Sequence, residues 1–161
     1  MKLSYPQFFH AATGNDPYLW QVRLAEDPAC QSRLIDIPTG LGKTAGVVLA
    51  WLWNYLQIQK PNSKIQNTGW PRRLVYCLPM RTLVEQTEEV VQTWLENLQS
   101  RSGSLPLSPQ AQKDLLWLIG DGSKETPAHS PIVLMGGEDP TDAKRDWDLH
   151  PERPAILIGT L

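Results

Sequence analysis

Gly40-Leu41-Gly42-Lys43-Thr44 brings two glycines, a lysine and a hydroxyl into five consecutive positions, a set of groups that can hold a phosphate. Glycine reaches positive φ without a Cβ penalty, so successive backbone N–H groups can curl around an anion. A helix starting at Lys43 would add the positive end of its dipole, roughly half a charge, at the same place. Lys43 would then reach the β and γ phosphates of a nucleotide, and Thr44 would offer its hydroxyl to the Mg2+ that such phosphates carry. Pro38, Thr39 and Leu41 complete the loop, and Ile37 stands at the first of its eight positions, where the full pattern has glycine.

Such a cradle needs a strand leading in and a helix leading out. Ser32 to Ile37 reads as the strand and Lys43 to Gln59 as the helix, rich in buried-type residues such as Val47, Val48, Leu49, Trp51, Leu52 and Leu56. A second pair follows: Arg73 to Leu78 is an apolar run ended by Pro79, and Thr82 to Leu98 is a helix. Its predicted stripe is Leu83, Thr87, Val90, Val91, Trp94, Leu95 and Leu98. Further on, Gln110 to Ile119 fits a short helix, and Ile132 to Met135 and Ala155 to Ile158 fit strands. Strands alternating with helices at these lengths predict an α/β fold with a parallel sheet. Trp51, Trp53 and Trp94 occupy packing positions, whereas Trp70 and Trp147 are left unassigned. Gln99 to Pro109 is low in complexity and reads as a surface loop, within a loop or insert spanning 100–131 of a single domain 1–161.

With 161 residues, 41% apolar and 20% charged, the chain is neither a disordered polyelectrolyte nor a histone-like basic binder. Its charge is nevertheless uneven. Residues 1–81 carry nine Lys and Arg against four Asp and Glu, and residues 82–161 carry six against thirteen, so +5 is followed by −7 and the sign of the first part suits an anion. Cys30 and Cys77 stand apart with no Cys-x-x-Cys pattern, which predicts reduced thiols in the cytoplasm. No apolar run approaches the ~18 residues of a membrane span, and no membrane partner is expected.

Gln21 lies 22 residues before Lys43, after Tyr18 and Trp20. A glutamine amide can donate to adenine N7 and accept from the exocyclic amine, so one bidentate contact would select adenine over guanine. A purely structural glutamine fits the same spacing.

Three segments narrow the class. Pro79-Met80-Arg81-Thr82-Leu83-Val84-Glu85-Gln86 resembles the Pro-x-Arg-x-Leu-x-x-Gln segment of superfamily 2 helicases, and Arg81 at a helix start suits a nucleic-acid phosphate. Leu134-Met135-Gly136-Gly137-Glu138 resembles the paired-glycine element of that superfamily, and Ile156-Leu157-Ile158-Gly159-Thr160 resembles its next strand and strand-end turn. With the phosphate loop, Phe8 through Leu161 is similar to the first RecA-like lobe of a superfamily 2 DEAD/DEAH-type helicase. The wording of residues 33–44 is most similar to the CRISPR-associated helicase–nuclease of type I interference systems. The resemblance implies a P-loop sheet with helices on both faces, ATP and Mg2+ as cofactors, and a role in antiviral defence. It further implies single-stranded DNA against Pro79, Arg81, Thr82, Gly136, Gly137, Gly159 and Thr160.

The same comparison marks departures. No apolar strand ends in Asp-Glu, since Glu138-Asp139 follows two glycines and reads as loop. The family's nuclease His-Asp pair is also missing, because His10, His129 and His150 precede Ala, Ser and Pro. Phosphoryl transfer needs a placed acid and arginines. The chain is therefore expected to bind nucleotide without hydrolysing it, to stop short of the Walker B strand, to leave an apolar sheet edge, and to use a second polypeptide for the rest of the motor. Readings of another class are a stand-alone nucleotide-binding or scaffold protein and a P-loop kinase.

Overall fold

The computed structural model describes residues 3–27, 29–58, 70–119, 132–134 and 151–160. Five helices come in the order α1 (Tyr5–Thr13), α2 (Leu19–Glu26), α3 (Lys43–Ile58), α4 (Arg81–Ser100) and α5 (Pro109–Ile119). Strand β1 (Arg73–Leu78) lies between α3 and α4, and β2 (Ile132–Leu134) and β3 (Ala155–Thr160) follow α5. The three strands form one parallel sheet in the order β1-β3-β2, with Tyr76 opposite Ile158 and Leu78 opposite Thr160. This is the RecA-like α/β class that the sequence predicts.

Period-2 alternation divides the sheet between two clusters. Ile156 and Ile158 of β3 and Val133 of β2 enter the main core, joined by half-buried Leu74, Tyr76 and Leu78 of β1 and by buried residues of all five helices. Ile132, Ala155 and Leu157 form a smaller cluster on the other face. On that face Val75 is 61% exposed. Gly159 is needed for packing: a Cβ there would stand 2.6 Å from the Leu134 carbonyl oxygen.

Helix ends follow local chemistry. Gln7 Oε1 accepts from the Ser4 N–H and hydroxyl, each at 3.1 Å, at the start of α1. Gly14, at φ +76°, returns its N–H to His10 O and ends that helix. In α4 the buried stripe is Val84, Thr87, Val91, Leu95 and Leu98. The predicted stripe is thus out of phase at one edge. Leu83 and Trp94 are half-buried and Val90 is 42% exposed, because spacings of three, four, four and three from Val84 track the core more closely. Asn97 Nδ2 donates to Ala12 O at 2.8 Å and fastens α4 to α1.

The predicted strand at Ser32 to Ile37 is absent. Residues 29–38 carry no regular structure, and Leu34 is 94% exposed. Local polar contacts hold this stretch as loop instead: Arg33 pairs with Asp27, and Ala29 N–H donates to Asp27 Oδ1 at 2.9 Å. Ile35 turns toward an apolar groove with Trp51, Trp70 and Leu74. Of the 100–131 stretch, α5 is packed into the core through Ala111, Leu115, Leu118 and Ile119. Trp51 is buried, with Nε1 donating to Pro71 O at 2.9 Å, while Trp53 and Trp70 are half-buried against the core. Trp147, Met135, His129, His150 and Glu138-Asp139 lie outside the described residues.

Candidate nucleotide-binding site

The glycine turn has the conformation its residue types allow. Gly40 has φ +87° and Gly42 has φ +69°, and among the described residues only these and Gly14 take positive φ. Immediately after the turn α3 begins, its first internal bond running from Gly46 N–H to Gly42 O at 2.8 Å. The N–H groups of Lys43, Thr44 and Ala45 precede that bond and so have no carbonyl four residues back within the helix. They are the donors that an anion would take at this end of α3.

Three side chains fix the turn. Lys43 reaches back with Nζ to the carbonyls of Ile37, at 2.6 Å, and Pro38, at 3.0 Å, closing the loop on itself. From the amino-terminal side, Gln21 donates from Nε2 to Gly42 O at 2.9 Å, while its Oε1 accepts the Tyr18 N–H at 2.8 Å. Gln21 is only 1% exposed and ties the start of α2 to the start of α3. Each end of its amide keeps one further hydrogen-bonding position, a lone pair on Oε1 and a proton on Nε2. On the third side, Thr44 Oγ1 lies 3.2 Å from the hydroxyl of Tyr76 on β1.

The α2–α3 contact leaves no room for a side chain at Gly42 or Gly46, whereas Gly40 stands in open space. A Cβ on Gly42 would come 2.8 Å from Gln21 Nε2, and one on Gly46 would come 2.3 Å from the Trp20 ring. Among the described residues, Trp20 Nε1 and the Tyr5 hydroxyl are buried without a hydrogen-bond partner, and burial pushes the Tyr5 hydroxyl well above the ordinary phenol range.

Beside the turn opens a cavity of about 510 Å³ whose wall includes Phe9, Asp16, Tyr18, Gln21, Gly40 and Gly42. That volume lies within the ~300–1,000 Å³ of small-molecule sites. Tyr18, 51% exposed, offers a ring at the rim. Asp16 pairs there with His10 Nδ1 at 3.1 Å. Turn, helix start, lysine and cavity together fit a nucleotide with its phosphates at α3. Among the described residues no group of three His, Cys, Asp or Glu could cage a cation. A magnesium ion carried by nucleotide phosphates at this helix start would find the Thr44 hydroxyl.

The residues predicted to meet nucleic acid fall into three groups. Pro79, Arg81 and Thr82 are exposed where β1 turns into α4, and half-buried Thr160 ends the neighbouring β3, so these four share one end of the sheet. Gly159 has the packing role already described. Gly136 and Gly137 lie outside the described residues. Pro38 and Thr39 are exposed and Leu41 is half-buried. Reading by motif missed Tyr76, and the signal that could have found it is alternation. Tyr76 shares the helix-facing side of β1 with Leu74 and Leu78 and is the polar residue of that set.

Fold and turn together define a phosphate-loop α/β domain. The family model for DEAD/DEAH box helicases matches residues 25–136, more than two thirds of the chain and inclusive of the whole glycine turn. The chain belongs to the DEAD/DEAH box helicase family, a membership that implies the use of ATP. No curated protein and no solved structure matches the chain. Among the described residues no helix is long and apolar enough to cross a membrane.

Proposed function

We propose that this chain is the amino-terminal, ATP-binding part of an ATP-dependent DNA helicase, holding Mg-ATP between Gly40 and Thr44 with the base in the cavity beside Tyr18 and Gln21. The observation that carries this reading is the turn itself: two glycines at positive φ deliver the chain into α3 while Lys43 closes the loop. Adenine would occupy the remaining hydrogen-bonding positions of Gln21. Single-stranded DNA would cross the sheet end that carries Pro79, Arg81, Thr82 and Thr160, where Arg81 supplies a cation for the backbone. The wording of residues 33–44 supports service in a type I CRISPR interference system.

Titration calorimetry with Mg-ATP on the chain and on Lys43→Ala tests the loop. Charge-assisted hydrogen bonds contribute about 1.5–3 kcal/mol each. Losing the ammonium should thus weaken binding by roughly 10- to 150-fold. Equal affinity for the two proteins would remove Lys43 from the site.

A further inference from the structure

Tyr76 lies outside every motif that points to nucleotide or nucleic acid, yet its hydroxyl is 3.2 Å from Thr44 Oγ1 across a separation of 32 residues. Both residues are half-buried, one in the first turn of α3 and the other midway along β1. We propose that Tyr76 is a positioning residue for the magnesium ion of the bound nucleotide, holding the Thr44 hydroxyl so that a lone pair, and not its proton, faces the cation. The proposal rests on the phosphate-loop reading above.

A threonine in a first helical turn has several local partners for its hydroxyl, and its χ1 wells point the oxygen in different directions. Coordination to a cation uses an oxygen lone pair, so the hydroxyl proton must be directed to another acceptor. Tyr76 can supply that acceptor. A phenol both donates and accepts. With no cation its O–H can donate to Thr44 Oγ1, and with a cation bound its oxygen can accept a hydrogen bond from the Thr44 hydroxyl, with neither side chain leaving its place. The ring is well placed for the task. Tyr76 has only two side-chain torsions, stands in register with buried Ile158, and packs against the main core, so its hydroxyl is fixed by the sheet. Lys43, by contrast, is bonded within the loop and would act on the phosphate oxygens directly.

The test measures ATP affinity with Mg2+ and with EDTA for the unaltered chain, Tyr76→Phe, Thr44→Val and the double variant. Outer-shell partners of metal ligands typically change metal affinity by about 10–100-fold. Tyr76→Phe keeps the ring and should lower the ratio of metal-loaded to metal-free affinity by about tenfold. In the Thr44→Val background the same substitution should leave that ratio where Thr44→Val put it. A ratio in Tyr76→Phe equal to that of the unaltered chain would overturn the proposal, as would an equal further loss in the double variant. A Tyr76 that merely supports the fold would lower both affinities together, leave the ratio fixed, and so also overturn it. Lys43→Ala serves as the separate control: if it binds ATP in EDTA as well as the unaltered chain does, the phosphate-loop reading fails, independently of Tyr76.

Discussion

Two helix starts, those of α3 and α4, follow short apolar segments and carry a basic residue at their first position, Lys43 and Arg81, yet they are built oppositely. At α3 the chain enters through two residues at positive φ, Gln21 is buried behind the turn, and a cavity opens beside it. At α4 it enters through Met80 in ordinary extended geometry, φ −142° and ψ 142°, with Met80 55% exposed and Arg81 exposed. A turn beside a cavity can surround the end of a ligand, whereas an exposed helix start can meet a polymer that passes by. A basic first residue is therefore expected to give affinity for a small anion at one helix, through Lys43, and salt-dependent contact at the other, through Arg81.

Substitutions can break this contrast. The largest effect is expected from Gly46→Val, because a Cβ already falls 2.3 Å from the Trp20 ring. Overpacking of that kind costs about 1–3 kcal/mol or more, and denaturant unfolding should show a midpoint well below that of the unaltered chain. Gly42→Ala follows, since φ +69° is strained for alanine and its Cβ would meet Gln21 Nε2. A loss of about 1–3 kcal/mol is expected, with weaker ATP binding in calorimetry. Gln21→Ala would remove a buried link between α2 and the loop and leave the Tyr18 N–H without its 2.8 Å acceptor, a cost of about 1–3 kcal/mol in stability. The smallest effect belongs to the other helix. Arg81→Ala should leave ATP affinity alone, weaken single-stranded DNA binding, and lower its salt slope by about one, as measured by fluorescence anisotropy over a salt series. An Arg81→Ala protein that loses ATP binding would erase the distinction between the two helix starts.

Much of this architecture was readable in the residues. α3, β1 and α4 are long or strongly apolar: the start of α3 at Lys43 and the limits of β1 at Arg73 and Leu78 are as read, while α4, read as Thr82 to Leu98, runs from Arg81 to Ser100. The glycine turn was readable because its geometry is demanded by residue type. Ser32 to Ile37 was not, since an apolar run becomes a strand only where a sheet edge receives it, and here Asp27 and the Lys43 ammonium capture the flanking side chain and carbonyls. The phase of α4 was missed for a related reason. Leu83 and Val84 are equally apolar, and only the packing against β3 and α1 chooses between them. Gln21 is legible as a candidate reader of the base and its bond to Tyr18 is local, but its bond to Gly42, 21 residues away, is geometry that spacing does not encode. Tyr76 belongs to no motif, and alternation marks only its face of β1, because its partner is 32 residues away.

Crystallising the chain with Mg2+ and a non-hydrolysable ATP analogue would test the central claim most directly. The account predicts the β and γ phosphates against the backbone N–H groups from Gly40 to Thr44, with Lys43 Nζ moved from the Ile37 and Pro38 carbonyls onto phosphate oxygen. An empty turn, with the analogue bound at another surface of the same protein, would contradict it.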